Sequence, residues 1–298
     1  MVSAPIHYRS HDEDSGRWLG FRYRPGDIVI SSRRRTGTTW LQMICALLIF
    51  QTPELPAPLW RLSPWLDHMI VPLDAVYAEL AGQRHRRFIK THTPLDGIPL
   101  HPWASYIVTA RHPLDMFVSL CHQLDNLDHA RLWQLTGQAP PPGPSGTRHD
   151  SLVRWIGDAG DWRAFPESLP GVLRHLSDAW ARRGQPNVLL VRYDDLAADL
   201  AGQMRGIAAR LGIAVPEPAW PALIQAATFD RMRSRSDRLV PTTAGVVKDT
   251  ASFFRRGRPG AGREILSDAE LARYHARAAE LAPADMLEWL HAPPRPGG

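Results

Sequence analysis

Short, continuously apolar runs alternate along this chain with longer apolar stretches of helical length, and turn-forming residues separate them. Residues 27–31 (DIVIS), 86–92 (RRFIKTH), 105–111 (SYIVTAR) and 187–193 (NVLLVRY) are rich in β-branched and aromatic residues. They lack the in–out alternation of a half-exposed strand, so the pattern predicts four buried strands. Between and after them, 40–50 (WLQMICALLIF), 113–124 (PLDMFVSLCHQL) and 194–212 (DDLAADLAGQMRGIAARLG) read as helices. The second has Pro113 in its first turn and Asp115 near its positive end, and the third is closed by Gly212. Residues 267–282 open with Ser267 and Glu270 at capping-box spacing and form a further helix. Strands alternating with helices predict an α/β fold: one domain over 1–298, with a central, mostly parallel sheet flanked by helices.

Three segments fall outside that rhythm. Residues 1–24 read as an N-terminal extension, and 139–150, with its proline run, as a flexible or polyproline-like insert. Residues 233–264 are basic, glycine-rich and aperiodic, the composition of a ligand-closing loop rather than a domain boundary.

Composition narrows the function classes. The 298 residues are 44% hydrophobic with a formal net charge of +5, enough apolar content for a packed core and a balance that suits an anionic ligand. Basic residues are interspersed with acidic ones rather than massed in a tail, so no nucleic-acid partner is expected. Two cysteines, Cys45 and Cys121, lie in apolar stretches and read as small core residues; neither a disulfide framework nor a metal site is expected. The first residues carry no apolar segment of the signal-peptide kind and the longest apolar run is too short to span a bilayer, so the expected location is cytoplasmic.

Candidate chemistry gathers at the predicted strand ends, where open parallel sheets bind ligands. After the first strand comes Arg33-Arg34-Arg35-Thr36-Gly37-Thr38-Thr39-Trp40. A glycine turn opening a helix offers free backbone N–H groups to an anion, Thr38 and Thr39 add hydroxyls, Arg35 adds charge, and Trp40 offers a flat face to a base. A solvated basic turn is the plain alternative. Arg111 ends the third strand and Ser119 follows eight residues on, a pairing that suits a phosphate if the intervening turn is tight; an Arg111–Asp115 ion pair is the alternative. Lys90 and His92 are two apart near the end of the second strand and so share a face. An ammonium beside an imidazole can stabilise a departing anion and accept a proton. His112, next to Arg111, competes for that role. The pattern G-x-x-x-x-G-K-[ST] of a P-loop kinase or nucleotidase is absent, although the Asp194-Asp195 pair keeps a magnesium-dependent alternative open.

Taken in order, these stretches resemble the cytosolic-type sulfotransferase family, which uses 3′-phosphoadenosine 5′-phosphosulfate (PAPS) and has a P-loop-like fold. The resemblance covers about Asp27 to Glu264. It implies that Arg35, Thr36, Gly37, Thr38, Thr39 and Trp40 hold the donor's 5′ end, and that Arg111 and Ser119 hold its 3′-phosphate. Tyr193 would contact the nucleoside, Thr228 and Phe229 with Met232 would lie beside adenine, and Arg255, Arg256 and Gly257 would close over the 3′-phosphate. His92 would be the general base, with Lys90 and Arg35 stabilising the departing product, 3′-phosphoadenosine 5′-phosphate (PAP). The resemblance implies no metal.

The family pattern is not fully kept. Arg35 and Thr36 stand where lysine and serine are usual, Ala227 stands where a threonine often precedes Thr228, and Gly260-Ala261-Gly262-Arg263 replaces Gly-Asp-Trp-Lys. The usual dimerisation segment is not recognisable, which leaves the oligomeric state open. Trp60, Trp65, Met69, Trp133, Trp155 and Trp162 are candidates to line a site for an apolar alcohol, phenol or lipid-like acceptor, or else to pack in the core, and Asp67 and His68 could touch a polar one. A catalytically silent nucleotide-binding relative is the remaining alternative.

Overall fold

In the computed structural model of the chain, residues 4–10, 12–137, 146–241, 245–255 and 259–294 are described. The four strands are β1 (Ile28–Ser31), β2 (Phe88–Thr91), β3 (Ser105–Ala110) and β4 (Val188–Arg192), each slightly shorter than its apolar run. They form one sheet in the order β2-β1-β3-β4, with every pairing parallel. Chain order reverses around β1, so the crevice beyond the carboxyl ends of β1 and β3 is where a ligand site is expected.

Both faces of the sheet are covered. Val29, Ile89, Tyr106, Val108 and Val188 pack on one side with Leu169, Val172, Leu173 and Leu176 of the Leu169–Ala181 helix and Tyr274 and Ala278 of the Asp268–Leu281 helix. Ile28, Ile30, Phe88, Ile107 and Val191 face the other side, against Leu41, Ile44, Cys45 and Leu48 of the Thr38–Phe50 helix and Met204, Ile207 and Ala208 of the Leu200–Leu211 helix. Side chains alternate between faces with period two, and burial on both faces explains why apolar residues occupy consecutive positions until the polar carboxyl ends at Ser31, Lys90, Thr91 and Arg192. Cys45 and Cys121 are buried free thiols.

Local chemistry explains where the elements differ from expectation. The single helix expected over 194–212 is two helices, Tyr193–Ala198 and Leu200–Leu211. Asp199 breaks it with φ −141° and ψ 75°, and its carboxylate accepts from the Gly202 N–H at 2.8 Å. A short polar side chain that bonds its own backbone favours such a break. Residues 139–145 of the expected flexible insert lie outside the described residues, but its end is helical: Thr147 and Asp150 form a reciprocal capping box that starts the Arg148–Gly157 helix. The Ser267–Glu270 box opens the Asp268–Leu281 helix as its spacing predicts. After the Phe229–Arg233 helix, the described residues up to 265 form a short helix, Ser236–Leu239, an isolated bridge from Val247 to Leu127, and the single turns Ala251–Phe253 and Arg263–Ile265. The described residues of the 1–24 segment pack on the body, with Trp18 fully buried and its Nε1–H donating to Asp67 at 3.1 Å.

Candidate active site

One cavity lies at the carboxyl ends of the strands and collects residues from all four. Its lining comprises the turn after β1 (Arg34, Arg35, Gly37, Thr38, Thr39, Trp40), Lys90 and His92 at the end of β2, Arg111 just past β3 and Tyr193 just past β4. Ser119 and Gln123 come from the Pro113–Asp125 helix, Trp65 from the loop before β2, Phe229 and Met232 from the Phe229–Arg233 helix, and Phe253, Phe254 and Arg255 from the late loop.

The turn after β1 offers groups that could hold an anion. Gly37 caps the Thr38–Phe50 helix with φ 118°, supplies no side-chain cap, and leaves first-turn N–H groups facing the cavity. A Cβ at Gly37 would sit 3.2 Å from Tyr193 Cδ2, so both the backbone and the neighbouring ring require glycine. Arg35 is also left-handed, with φ 65°, and the Arg111 guanidinium donates to its carbonyl at 3.0 Å. The side chain of Arg35 then runs to Ser119, with Nε–H to Oγ at 2.9 Å, and to the Phe253 carbonyl at 2.8 Å, with its guanidinium over the Phe253 ring. Burial, with Arg111 and Arg255 nearby, pushes the Arg35 guanidinium down to about 9. Arg111 lies over the Tyr193 ring at 4.3 Å, and Tyr193 meets Trp40 edge-on at 5.2 Å.

At the other end, segment 64–66 runs beside β2: the Lys90 N–H donates to the Pro64 carbonyl at 3.0 Å and the Leu66 N–H to the Lys90 carbonyl at 3.2 Å. This places Trp65 under the Lys90 ammonium at 3.9 Å and edge-on to His92 at 4.6 Å between ring centres. Burial first, then Arg34, holds the Lys90 ammonium down at about 7. His92 is buried, and burial together with Lys90, Arg34 and Arg33 keeps its imidazole well below the usual histidine range. Its Nδ1 bonds the Ser32 carbonyl, which can only accept, so Nδ1 carries the proton and Nε2 keeps its lone pair. The imidazole is therefore neutral and able to take a proton.

Arg33 and Arg34 do not repeat the part of Arg35. Arg33 donates to the His92 carbonyl and pairs with Glu167, and Arg34 pairs with Asp12 and with Glu13 at 3.0 Å. Burial is the leading reason that the Glu13 carboxyl is raised to about 7, outweighing the two arginines that act to lower it. The charge of this loop is thus largely matched by carboxylates, including two from the 1–24 segment.

Of the site residues expected from sequence, Arg35, Gly37, Thr38, Thr39, Trp40, Lys90, His92, Arg111, Ser119, Tyr193, Phe229 and Arg255 are brought together here. Arg256 and Gly257 lie outside the described residues. The side chain of Thr36 is not brought to the cavity: its hydroxyl donates to the Arg33 carbonyl and bonds the Thr109 hydroxyl, 2.7 and 2.6 Å. Thr228 is spent as the N-cap of the Phe229–Arg233 helix and donates to the Gln225 carbonyl.

His112 is structural. It caps the Pro113–Asp125 helix and packs against Tyr274 and His291, away from the cavity lining. Asp115 does not pair with Arg111 but accepts from the Gly260 and Gly262 N–H groups, both at 2.7 Å. The loop that departs from the family pattern is anchored in this way. A Cβ at Gly262 would lie 2.5 Å from the Leu114 backbone, so Gly262→Ala is expected to cost about 1–3 kcal/mol of stability, measurable by denaturant unfolding.

Among the aromatic candidates for the acceptor, only Trp65 reaches this cavity. Trp155 stacks on Phe117 in the core, while Trp133 is 58% exposed on a surface helix and Trp162 meets Tyr8. Asp67 is turned inward to Thr91, Thr93 and Trp18, and His68 stacks on Trp65. The sequence reading missed Arg34, Gln123 and Phe253. Gln123 lies one helical turn beyond Ser119, a spacing that could have marked it. Asp195, half of the pair that kept a magnesium site open, is held by Arg192 at 2.9 Å, and no metal-holding group of three His, Cys, Asp or Glu side chains occurs among the described residues.

The cavity sets guanidiniums and a helix N-terminus within reach of a buried imidazole, an arrangement that could seat an anionic ligand. The chain belongs to the sulfotransferase domain family, whose model matches residues 25–282, and is an enzyme of the sulfotransferase class. It is similar to a glycolipid sulfotransferase of Mycobacterium bovis, 40% identical over 96% of this chain and 94% of the relative. It is similar also to a glycolipid sulfotransferase of Mycobacterium tuberculosis, 39% identical over the same shares. Among solved structures, mouse sulfotransferase SULT7A1 complexed with PAP shares the fold at a TM-score of 0.66 with 19% identity, covering 92% of this chain and 91% of that one. A retinol dehydratase in complex with androsterone and PAP does so at 0.65 with 22% identity, covering 89% and 83%. No helix among the described residues is long and apolar enough to cross a membrane.

Proposed function

We propose that this sulfotransferase takes its sulfuryl group from PAPS and passes it to a hydroxyl of a lipid-like acceptor, a glycolipid before a simple phenol, with His92 as the general base. The observation that carries the reading is the placement of the buried His92 ring. Its Nδ1–H is committed to the Ser32 carbonyl, and it sits beside a buried lysine in a cavity whose far end collects guanidiniums. The glycolipid preference is supported by the mycobacterial relatives and by Trp65, a flat apolar wall next to the base.

PAPS supplies the sulfuryl group when bound. The residues present fit such a molecule: Arg35 and Arg111, neither of them paired with a carboxylate among the described residues, an uncapped helix N-terminus at Gly37, and aromatic rings at Trp40, Tyr193 and Phe229. His92 Nε2 accepts the acceptor's proton. Lys90 places positive charge where the departing oxygen becomes negative, and the Gly37 turn offers N–H groups there. Trp65 and the pairing of segment 64–66 with β2 hold Lys90 in place.

The test is transfer of labelled sulfate from PAPS to a panel of glycolipids, steroids and phenols, run with and without a magnesium chelator and against ATP. Sulfation that is fastest on glycolipids and indifferent to chelation is expected. Phosphoryl transfer from ATP that requires magnesium would replace the reading with a kinase. PAP binding without turnover on any acceptor would make the protein a binding relative.

A further inference from the structure

β2 ends at Thr91, the last of its residues paired with β1, so His92 stands one position beyond the ladder. Strand pairing does not reach it. Two consecutive residues of the turn after β1 take over that task. The Ser32 carbonyl accepts from the ring Nδ1–H, and the Arg33 guanidinium donates to the His92 carbonyl. Ring and main chain are thus held at two points from one short segment.

Arg33 is in turn held from outside the sheet. Its side chain is only 4% exposed, its Nη2 group donates to Glu167, and its Nη1 group lies 3.5 Å from Glu13 Oε2. The same two carboxylates reach Arg34, Glu13 Oε1 at 3.0 Å and Glu167 Oε1 at 3.3 Å. Glu167 directly precedes Ser168, the N-cap of the Leu169–Ala181 helix, and its carbonyl accepts from Trp155 Nε1–H at 2.9 Å. Its place is therefore fixed by a helix that packs on the sheet. Glu13 is fixed by an antiparallel bridge to His68.

Building on the reading of His92 as the base, we infer that Glu167 and Arg33 are positioning residues for the reaction. Glu167 holds the Arg33 guanidinium against the His92 carbonyl, and this sets where the imidazole meets the acceptor hydroxyl. A planar guanidinium that donates to a carbonyl with one Nη group and to a carboxylate with the other has its direction fixed by both ends together. Without the Glu167 carboxylate the fork is left among cations, because Arg34 is its neighbour and Lys90 stands beside His92. Like charges repel, and a buried guanidinium deprived of its partner turns toward water. The bond to His92 then loses its support. Among the described residues that line the cavity, neither Arg33 nor Glu167 occurs, so their action runs through His92 rather than through donor or acceptor.

The experiment is steady-state sulfation, with labelled PAPS and the fastest acceptor of the panel above, by wild type, Glu167→Gln, Arg33→Lys and His92→Ala. The two double variants that add His92→Ala are measured alongside, and kcat is expressed per PAP-binding site counted by calorimetric titration. Glu167→Gln is expected to lower kcat about ten- to a hundredfold, the scale of misplacing a reacting group by about 1 Å, while PAP affinity and KM for PAPS stay within about threefold. Arg33→Lys keeps the charge and so should fold if a buried guanidinium facing glutamine does not. Its single nitrogen cannot fork between the two partners, and the same fall in kcat is expected. With the imidazole gone there is no base left to place, so in the His92→Ala background each change is expected to cost no more than about threefold further. Wild-type kcat in either variant, PAP affinity that falls in step with kcat, or losses that multiply with that of His92→Ala would overturn the inference and leave the base reading intact. A His92→Ala enzyme that keeps most of its activity would remove both.

Discussion

Replacing His92 with alanine is expected to lower kcat by roughly 10²–10⁴-fold while leaving PAP affinity nearly unchanged. The ring touches the cavity, but its remaining bonds run to the protein: Nδ1–H to Ser32, and its backbone carbonyl to Arg33. Removing the imidazole therefore removes a proton acceptor rather than a phosphate contact. Burial and the cations Lys90, Arg34 and Arg33 favour the uncharged ring, so His92 stays a competent base at pH values where an exposed histidine is already protonated. Wild-type kcat/KM should accordingly show no acid limb near 6.5, the ordinary imidazole value.

The basic side of the pH profile should belong to Lys90, whose ammonium is held at about 7 in the free protein, chiefly by burial. Below that pH it is charged, and as pH rises through it the charge that stabilises the departing group is lost. An anionic donor favours the ammonium, so the limb in kcat should lie at higher pH than the limb in kcat/KM. A His92→Ala enzyme that keeps most of its activity on a good acceptor would dismiss the base assignment. A basic limb that survives unchanged in Lys90→Met would dismiss the lysine.

Arg111→Ala is expected to produce the opposite kinetic pattern, with PAP affinity down about a hundredfold or more and a smaller change in kcat at saturating PAPS. The reason is that Arg111 does several things at once. It faces the cavity, donates to the Arg35 carbonyl and lies over the Tyr193 ring. On the proposed reading its loss would remove a phosphate donor; it also removes the bond to the Arg35 carbonyl and the cation over the Tyr193 ring. Arg111→Lys should recover only part of the affinity, because an ammonium cannot reproduce the planar stacking and the fork together. Titration with PAP and steady-state kinetics in PAPS check both variants. A collapse of kcat with intact PAP binding would move Arg111 to the transfer end.

Much of this site was legible from local sequence because ligand positions in a parallel sheet follow the strand ends. The apolar runs located β1 to β4, and Arg35, His92, Arg111 and Tyr193 stand within a few residues of where those runs stop. Gly37 announced a tight turn before a helix, and the Ser267–Glu270 spacing announced a cap, because both depend on neighbours a few residues away. Side-chain destinations followed another rule. Thr36 and Thr38 share one turn, yet the Thr36 hydroxyl bonds Thr109, 73 residues away, while Thr38 borders the cavity with its hydroxyl bonded to Ser32. Asp199 looked like part of a long helix until its own carboxylate ended one.

What the sequence alone determined, then, was the class of fold, the strand ends that carry the chemistry, and the kinds of groups found there. Tertiary structure decided which of three consecutive arginines faces which charge. Arg34 is matched by Asp12 and Glu13, and Arg35 by Ser119 and Phe253, partners 84 and 218 residues further along the chain. Backbone dihedrals and electrostatic pairing set those directions. Apolar periodicity records which residues are buried; it does not record which cation is matched by a carboxylate among the described residues and which is not.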